Sequence, residues 1–161
     1  VTLEEKGGHS TRWKNRRIGL QFSNAVLHDG HLYAIDGVPD RGGALVCLDP
    51  TTGKSVQRTD LVWDEQVEIQ GKQREIPMGV GEGSLTYADG AFLCLGDNGH
   101  LLWLQATPKG TKVIARSWLF RARECWTPLA ISRGLLYVCQ NNRERWSGKK
   151  ARLICYDLRG K

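Results

Sequence analysis

The chain has 161 residues, enough for one domain by size, and 40% of them are hydrophobic, enough to bury a core and to exclude a disordered chain. Lysine and arginine outnumber aspartate and glutamate by 23 to 17, a formal charge of +6 that permits an anionic partner without demonstrating one. No apolar run approaches the length of a membrane span. The first residue is Val1 with no signal peptide after it, so the sequence reads as processed, trimmed or cut from something longer.

No stretch of a dozen residues keeps a helical period without a Gly or Pro breaking it. Short apolar runs bounded by Gly, Asp and Asn recur instead, which is an all-β signature. In chain order, residues 13–20 read as the outer strand of a preceding sheet. Residues 23–35 hold two short strands around Asp29-Gly30, a dipeptide that tolerates the positive φ of a tight hairpin. A third strand follows at 44–49, a turn at 50–54 and a fourth strand at 55–61. Residues 66–78 form an insertion, with a small hairpin expected around Gln70-Gly71. The pattern then restarts. Residues 83–95 turn at Asp89-Gly90, Asn98-Gly99 suits a two-residue turn that would place Cys94 opposite Trp103, and further strands follow at 101–105 and 112–119. The third copy, 127–139, turns at Arg133-Gly134, runs through a long basic loop at 140–150, and gains a strand at 152–157 with no fourth strand after it.

The chain thus divides into three repeats: 21–65, 79–120 and an incomplete 121–161. Phe92 and Cys94 fall on one face of their strand and Leu93 and Leu95 on the other, so these sheets need cover on both faces. Stacked four-stranded sheets of a β-propeller supply it. The cysteines Cys47, Cys94, Cys125, Cys139 and Cys155 form no C-x-x-C pair and no zinc spacing. Most sit inside apolar runs, where a free cysteine behaves as a small buried hydrophobe.

Three features carry a family resemblance: the Asp-Gly hairpins ending in Leu-Tyr, the turn Leu48-Asp49-Pro50-Thr51-Thr52-Gly53-Lys54, and the entry Cys125-Trp126-Thr127-Pro128. On them, residues 13–161 resemble PQQ-like, quinoprotein-type β-propeller repeat proteins, and similar propellers serve in bacterial outer-membrane assembly. The resemblance implies about three four-stranded antiparallel blades, the last lacking its outer strand, from the C-terminal part of a larger ring whose remaining blades would be its first partners. It also implies an exported bacterial protein, periplasmic or secreted. Such a fragment is expected to expose sheet faces at its ends and to be marginally stable or to associate when alone.

Residues 50–55 end like a phosphate-binding loop, but Leu48 stands where the motif needs Gly, and a turn is the better reading. Residues 79–83 bring their third Gly too early for a dinucleotide fingerprint. His9, His28, His31 and His100 lie near turns or the N-terminus in no metal spacing, and no catalytic residue is assigned. The starts of the inner strands, Phe22-Ser23-Asn24, Glu82-Gly83-Ser84 and Trp126-Thr127, would cluster at one rim of a propeller channel. Ser23, Asn24, Ser84, Trp126 and Thr127 are therefore the candidate ligand site for a protein or carbohydrate partner. Quinoprotein dehydrogenases, the first alternative, hold their quinone with calcium. No adjacent cysteines or hard-cation cluster appears here, although missing blades could supply such parts. The basic loop 141–152, with Arg143, Arg145, Trp146, Lys149 and Lys150, has the composition of an anionic-partner contact. Nucleic acid is the second, weaker alternative.

Overall fold

The computed structural model describes residues 2–3, 7–37, 42–144 and 147–160. Among these residues every regular element is a strand. β1 (Thr2–Leu3) and β2 (His9–Ser10) make a short ladder. The first sheet joins β3 (Val26–His28), β4 (His31–Gly37), β5 (Gly43–Leu48) and β6 (Ser55–Asp60) in sequence order. A separate hairpin, β7 (Val62–Ile69) and β8 (Lys72–Gly79), follows. The second sheet is β9 (Ser84–Ala88), β10 (Ala91–Leu95), β11 (His100–Thr107) and β12 (Gly110–Trp118), and the three-stranded third sheet is β13 (Ala130–Ser132), β14 (Leu135–Gln140) and β15 (Arg152–Asp157). Every ladder is antiparallel.

Turn chemistry dictates this order. Asp29-Gly30 (φ 50° and 72°), Asp89-Gly90 (49° and 77°) and Arg133-Gly134 (51° and 75°) each put two left-handed residues between paired strands, the signature of type I′ turns. Arg133 keeps that geometry without the Asp that makes it easy. The insertion hairpin turns the same way at Gln70-Gly71 (52° and 74°), and it is longer than expected, pairing from Val62 opposite Gly79 to Ile69 opposite Lys72.

Two expectations are corrected. Cys94 stands opposite Leu102, and Trp103 opposite Leu93. The loop has three residues rather than two: Gly96 N–H donates to His100 O (2.7 Å), Gly99 N–H donates to Gly96 O (3.0 Å), and only Gly99 is left-handed, at φ 86°. A type I turn followed by a bulge glycine shifts the register by one. Residues 13–20 form no strand. They run across the outer face of the first sheet as a strap. Trp13 Nε1 donates to Pro50 O (2.8 Å), Asn15 Nδ2 to Gly53 O (2.8 Å) and Gly19 N–H to Asp36 Oδ1 (2.8 Å). Ile18 and Leu20 cover Ala34, Val46 and Leu48. Side-chain anchoring along the strap replaces the ladder hydrogen bonds of an edge strand.

Two apolar layers hold the sheets together. Tyr33, Ile35, Leu45 and Cys47 of the first sheet pack on Leu85, Phe92, Cys94, Leu102 and Leu104 of the second. The other face of the second sheet, Leu93, Leu95 and Leu101, packs with Leu136 and Val138 of the third, with Phe120 and Cys125 between. The cysteines are all free. Cys47, Cys94 and Cys125 are buried, Cys139 is half-buried and Cys155 is exposed, so the expectation of buried hydrophobes fails at the third sheet.

Candidate functional site

The inner-strand entries meet. The rings of Phe22 and Trp126 stack with centroids 4.1 Å apart and planes inclined by 13°. Phe22, 45% exposed, comes from the start of the first repeat and Trp126 from the start of the third. Between them in the chain, Ser84 of the second repeat donates its hydroxyl to Thr127 O at 3.5 Å. The Thr127 hydroxyl donates to Asn141 Oδ1 (2.9 Å), and Asn141 Nδ2 donates to Glu124 O (2.7 Å), which fixes the third entry against the basic loop. Ser23 Oγ turns to Asn24 O (3.3 Å), and Asn24 is exposed beside it. Glu82, which the sequence reading treated only as part of a glycine-rich entry, is buried. Its Oε1 lacks a hydrogen-bond partner, and burial pushes its carboxyl above the usual range. A charged residue among glycines was the available signal.

A second feature escaped the sequence altogether. A cleft of about 890 Å³ opens between the β7–β8 hairpin and the second sheet, with Val62, Trp63 and Met78 on one wall and Asp97, Trp118 and Arg121 on the other. Its aromatic rings are already engaged. Trp118 stacks on His100 at 4.4 Å, donates Nε1 to Asn98 O (2.9 Å) and carries the Arg121 guanidinium 4.6 Å from its ring centroid. Trp63 has Arg116 4.5 Å over its ring, His100 at its edge (4.9 Å) and Glu65 Oε2 on its Nε1 (2.9 Å). Trp118 thus already carries a ring and a guanidinium, and Trp63 a guanidinium, whereas the rings of Phe22 and Trp126 spend one face each on one another.

His100 sits at the centre of this cluster, buried. Its Nε2 lies 3.3 Å from Glu65 Oε2, within ion-pair range but without hydrogen-bond alignment. Burial prevails over that neighbour and pulls the imidazole down to about 4, so His100 is neutral at pH 7.

The other sequence candidates resolve more simply. Residues 50–55 are a turn into strand β6. Asp49 Oδ1 accepts the amides of Thr51 (2.6 Å) and Thr52 (3.2 Å), which holds its carboxyl below the usual range and occupies amides that a phosphate would need. In the basic loop, Arg143, Lys149 and Lys150 are exposed, while Arg145 and Trp146 lie outside the described residues. Glu144 organises what is described: its N–H donates to Lys149 O (2.8 Å), and its carboxylate takes Arg152 (2.7 Å) and Ser147. The carboxylate thus offsets part of the loop's positive charge. Among the described residues, no group of three or more His, Cys, Asp or Glu side chains is placed to hold a metal ion. No helix among the described residues is long and apolar enough to cross a membrane. Comparison with models of known families and with curated proteins returns no match.

Proposed function

We propose that this chain is a non-catalytic binding module, its three stacked sheets serving as blades of a PQQ-like β-propeller, and that it holds a protein or carbohydrate partner on the rim where Ser23, Asn24, Ser84, Trp126 and Thr127 gather. One observation supports this above the others: the Phe22–Trp126 stack joins the first and third repeats at the inner-strand entries and leaves aromatic surface open beside hydroxyl and amide groups. A rigid aromatic pair ringed by short polar side chains suits both a peptide and a sugar face. The exported bacterial setting belongs to the same proposal.

Glycan and peptide arrays probed with the chain, followed by Phe22→Ala and Trp126→Ala, test it. A ligand should emerge whose affinity falls at least tenfold in both variants while the circular dichroism stays unchanged. A ligand indifferent to both substitutions overturns the rim assignment. Titration with quinone plus calcium should leave the melting temperature unmoved, and a saturable upward shift would favour the quinoprotein reading instead.

A further inference from the structure

Phe22, Glu82 and Trp126 occupy one position of the repeat, eight residues before Gly30, Gly90 and Gly134. Two of the three are aromatic and stack on one another, and the third is a carboxylate. The backbone draws their segments together. Gly37 N–H donates to Gly19 O (3.4 Å), shortly before Phe22, and a Cβ on Gly37 would come within 2.7 Å of Glu82 Cα. On the other side, Asp97 N–H donates to Val80 O (3.0 Å), and the N–H of Cys125, next to Trp126, donates to Asp97 O (3.0 Å). Glu82 therefore stands between the segments that carry the two rings. It is 5% exposed, its Oε1 is sealed without a hydrogen-bond partner, and it forms no ion pair among the described residues. The second sheet, which its repeat builds, has another sheet packed on each face, so Glu82 does not lie on an open flank. An ionised carboxylate held away from water is costly unless a cation or hydrogen-bond donors reach it. Burial alone moves the Glu82 carboxyl upward, with no neighbouring charge contributing. A positive charge is what the position lacks, and aromatic faces attract the same kind of group.

We propose that the rim takes up a lysine side chain of a protein partner, its ammonium on Glu82 and its methylene stem along the Phe22–Trp126 pair. The assignment rests on the rim reading and narrows its partner from protein or carbohydrate to protein. Lysine suits the position by shape as well as by charge. Its ammonium is a compact point charge on a slender, flexible stem, with three donors for an acceptor that has none. That stem can lie along apolar surface while the charged end reaches a covered carboxylate. The planar fork of arginine is broader, and an amino sugar carries its amine directly on a ring that cannot follow it inward.

Two-dimensional NMR of the indole N–H signals, with Nα-acetyl-lysine methylamide as the probe, provides the test. A saturable shift of the Trp126 signal is expected, in the millimolar range for so small a probe. The Nε-acetylated probe, which keeps the stem and loses the charge, should bind about tenfold more weakly, and so should glucosamine. Glu82→Gln should remove the preference for the charged probe while the amide spectrum stays that of the folded chain. If Glu82→Gln fails to fold, the charged and acetylated probes on the unmodified chain decide alone. Equal binding of those two probes overturns the proposal, as do a preference for glucosamine, a preference for charge that survives Glu82→Gln, and no saturable shift with any probe. The two readings fail separately. Equal binding that is lost in Phe22→Ala ends the lysine assignment and leaves the rim standing, whereas a Glu82-dependent preference indifferent to both Phe22→Ala and Trp126→Ala ends the rim and the lysine assignment together.

Discussion

Leu45 and Leu153 occupy one position of the repeat, in the first and third sheets. Each stands on its third strand opposite the fifth residue after the hairpin glycine, yet Leu45 is fully buried and Leu153 is 69% exposed. The hairpins are alike in turn geometry and in the pairing of their second and third strands, but β5 also has β6 on its far side whereas β15 is an edge strand. The larger difference lies in the next layer: among the described residues the first sheet has one on this face and the third does not. Local sequence therefore builds each sheet, whereas burial, and with it most of the stabilisation, comes from a neighbour.

The sharpest way to break this comparison is a matched pair of truncations. Leu45→Ala should cost about 3 to 4 kcal/mol through lost burial and a residual cavity. Leu153→Ala should cost under about 0.5 kcal/mol in dilute, monomeric solution, as an exposed surface change does. Urea denaturation of both variants checks it, and equal losses would mean that the third-sheet face is covered. The next effect belongs to His100. Its folded-state pKa near 4 lies below the ordinary value of 6.5, so the unfolded chain binds its proton first as the pH falls. Stability should be full above about pH 6.5, decline through the window down to about 4, and lose roughly 2 to 3 kcal/mol across it. Glu65, Arg116 and Arg121 are the charges that face this ring, and His100→Gln should flatten the slope in that window. A smaller loss is expected at the strap. Gly53 is left-handed at φ 68°, and a Cβ there would stand 2.3 Å from the Trp13 ring, so Gly53→Ala should cost about 2 kcal/mol and make residues 13–20 sensitive to protease. Smallest is a gain: Arg133→Asn, at a left-handed position that Asn adopts more readily, should raise stability by about 0.5 kcal/mol, read as a small rise in melting temperature.

Much of this was legible in the sequence where the determining interaction is local. The three hairpins follow from single dipeptides and appear where Gly30, Gly90 and Gly134 place them. The register around Gly99 was misread because two loop types share an Asn-Gly, and the choice between them depends on whether Asn98 or only Gly99 is left-handed. The strap was misread for a different reason. Ile18 and Leu20 alternate like a strand, and what turns the segment onto a sheet face is Trp13 closing on Gly53, a contact between residues far apart in the chain. The rim candidates were chosen by repeat position, which gives equivalence but not proximity, so the stacking of Phe22 on Trp126 was not foreseeable. The cleft beside Trp63 and Trp118 was invisible because one wall lies in an insertion that has no counterpart in the other repeats.

The sequential strand order carries a kinetic consequence. Each sheet is a meander in which every strand hydrogen-bonds only to its neighbours in sequence, so the closing of one sheet demands no long loop through another. Amide exchange should therefore report opening sheet by sheet. The second sheet, clasped on both faces, should release its deuterium-sensitive core last, and the third, with one face bare, should exchange well before it.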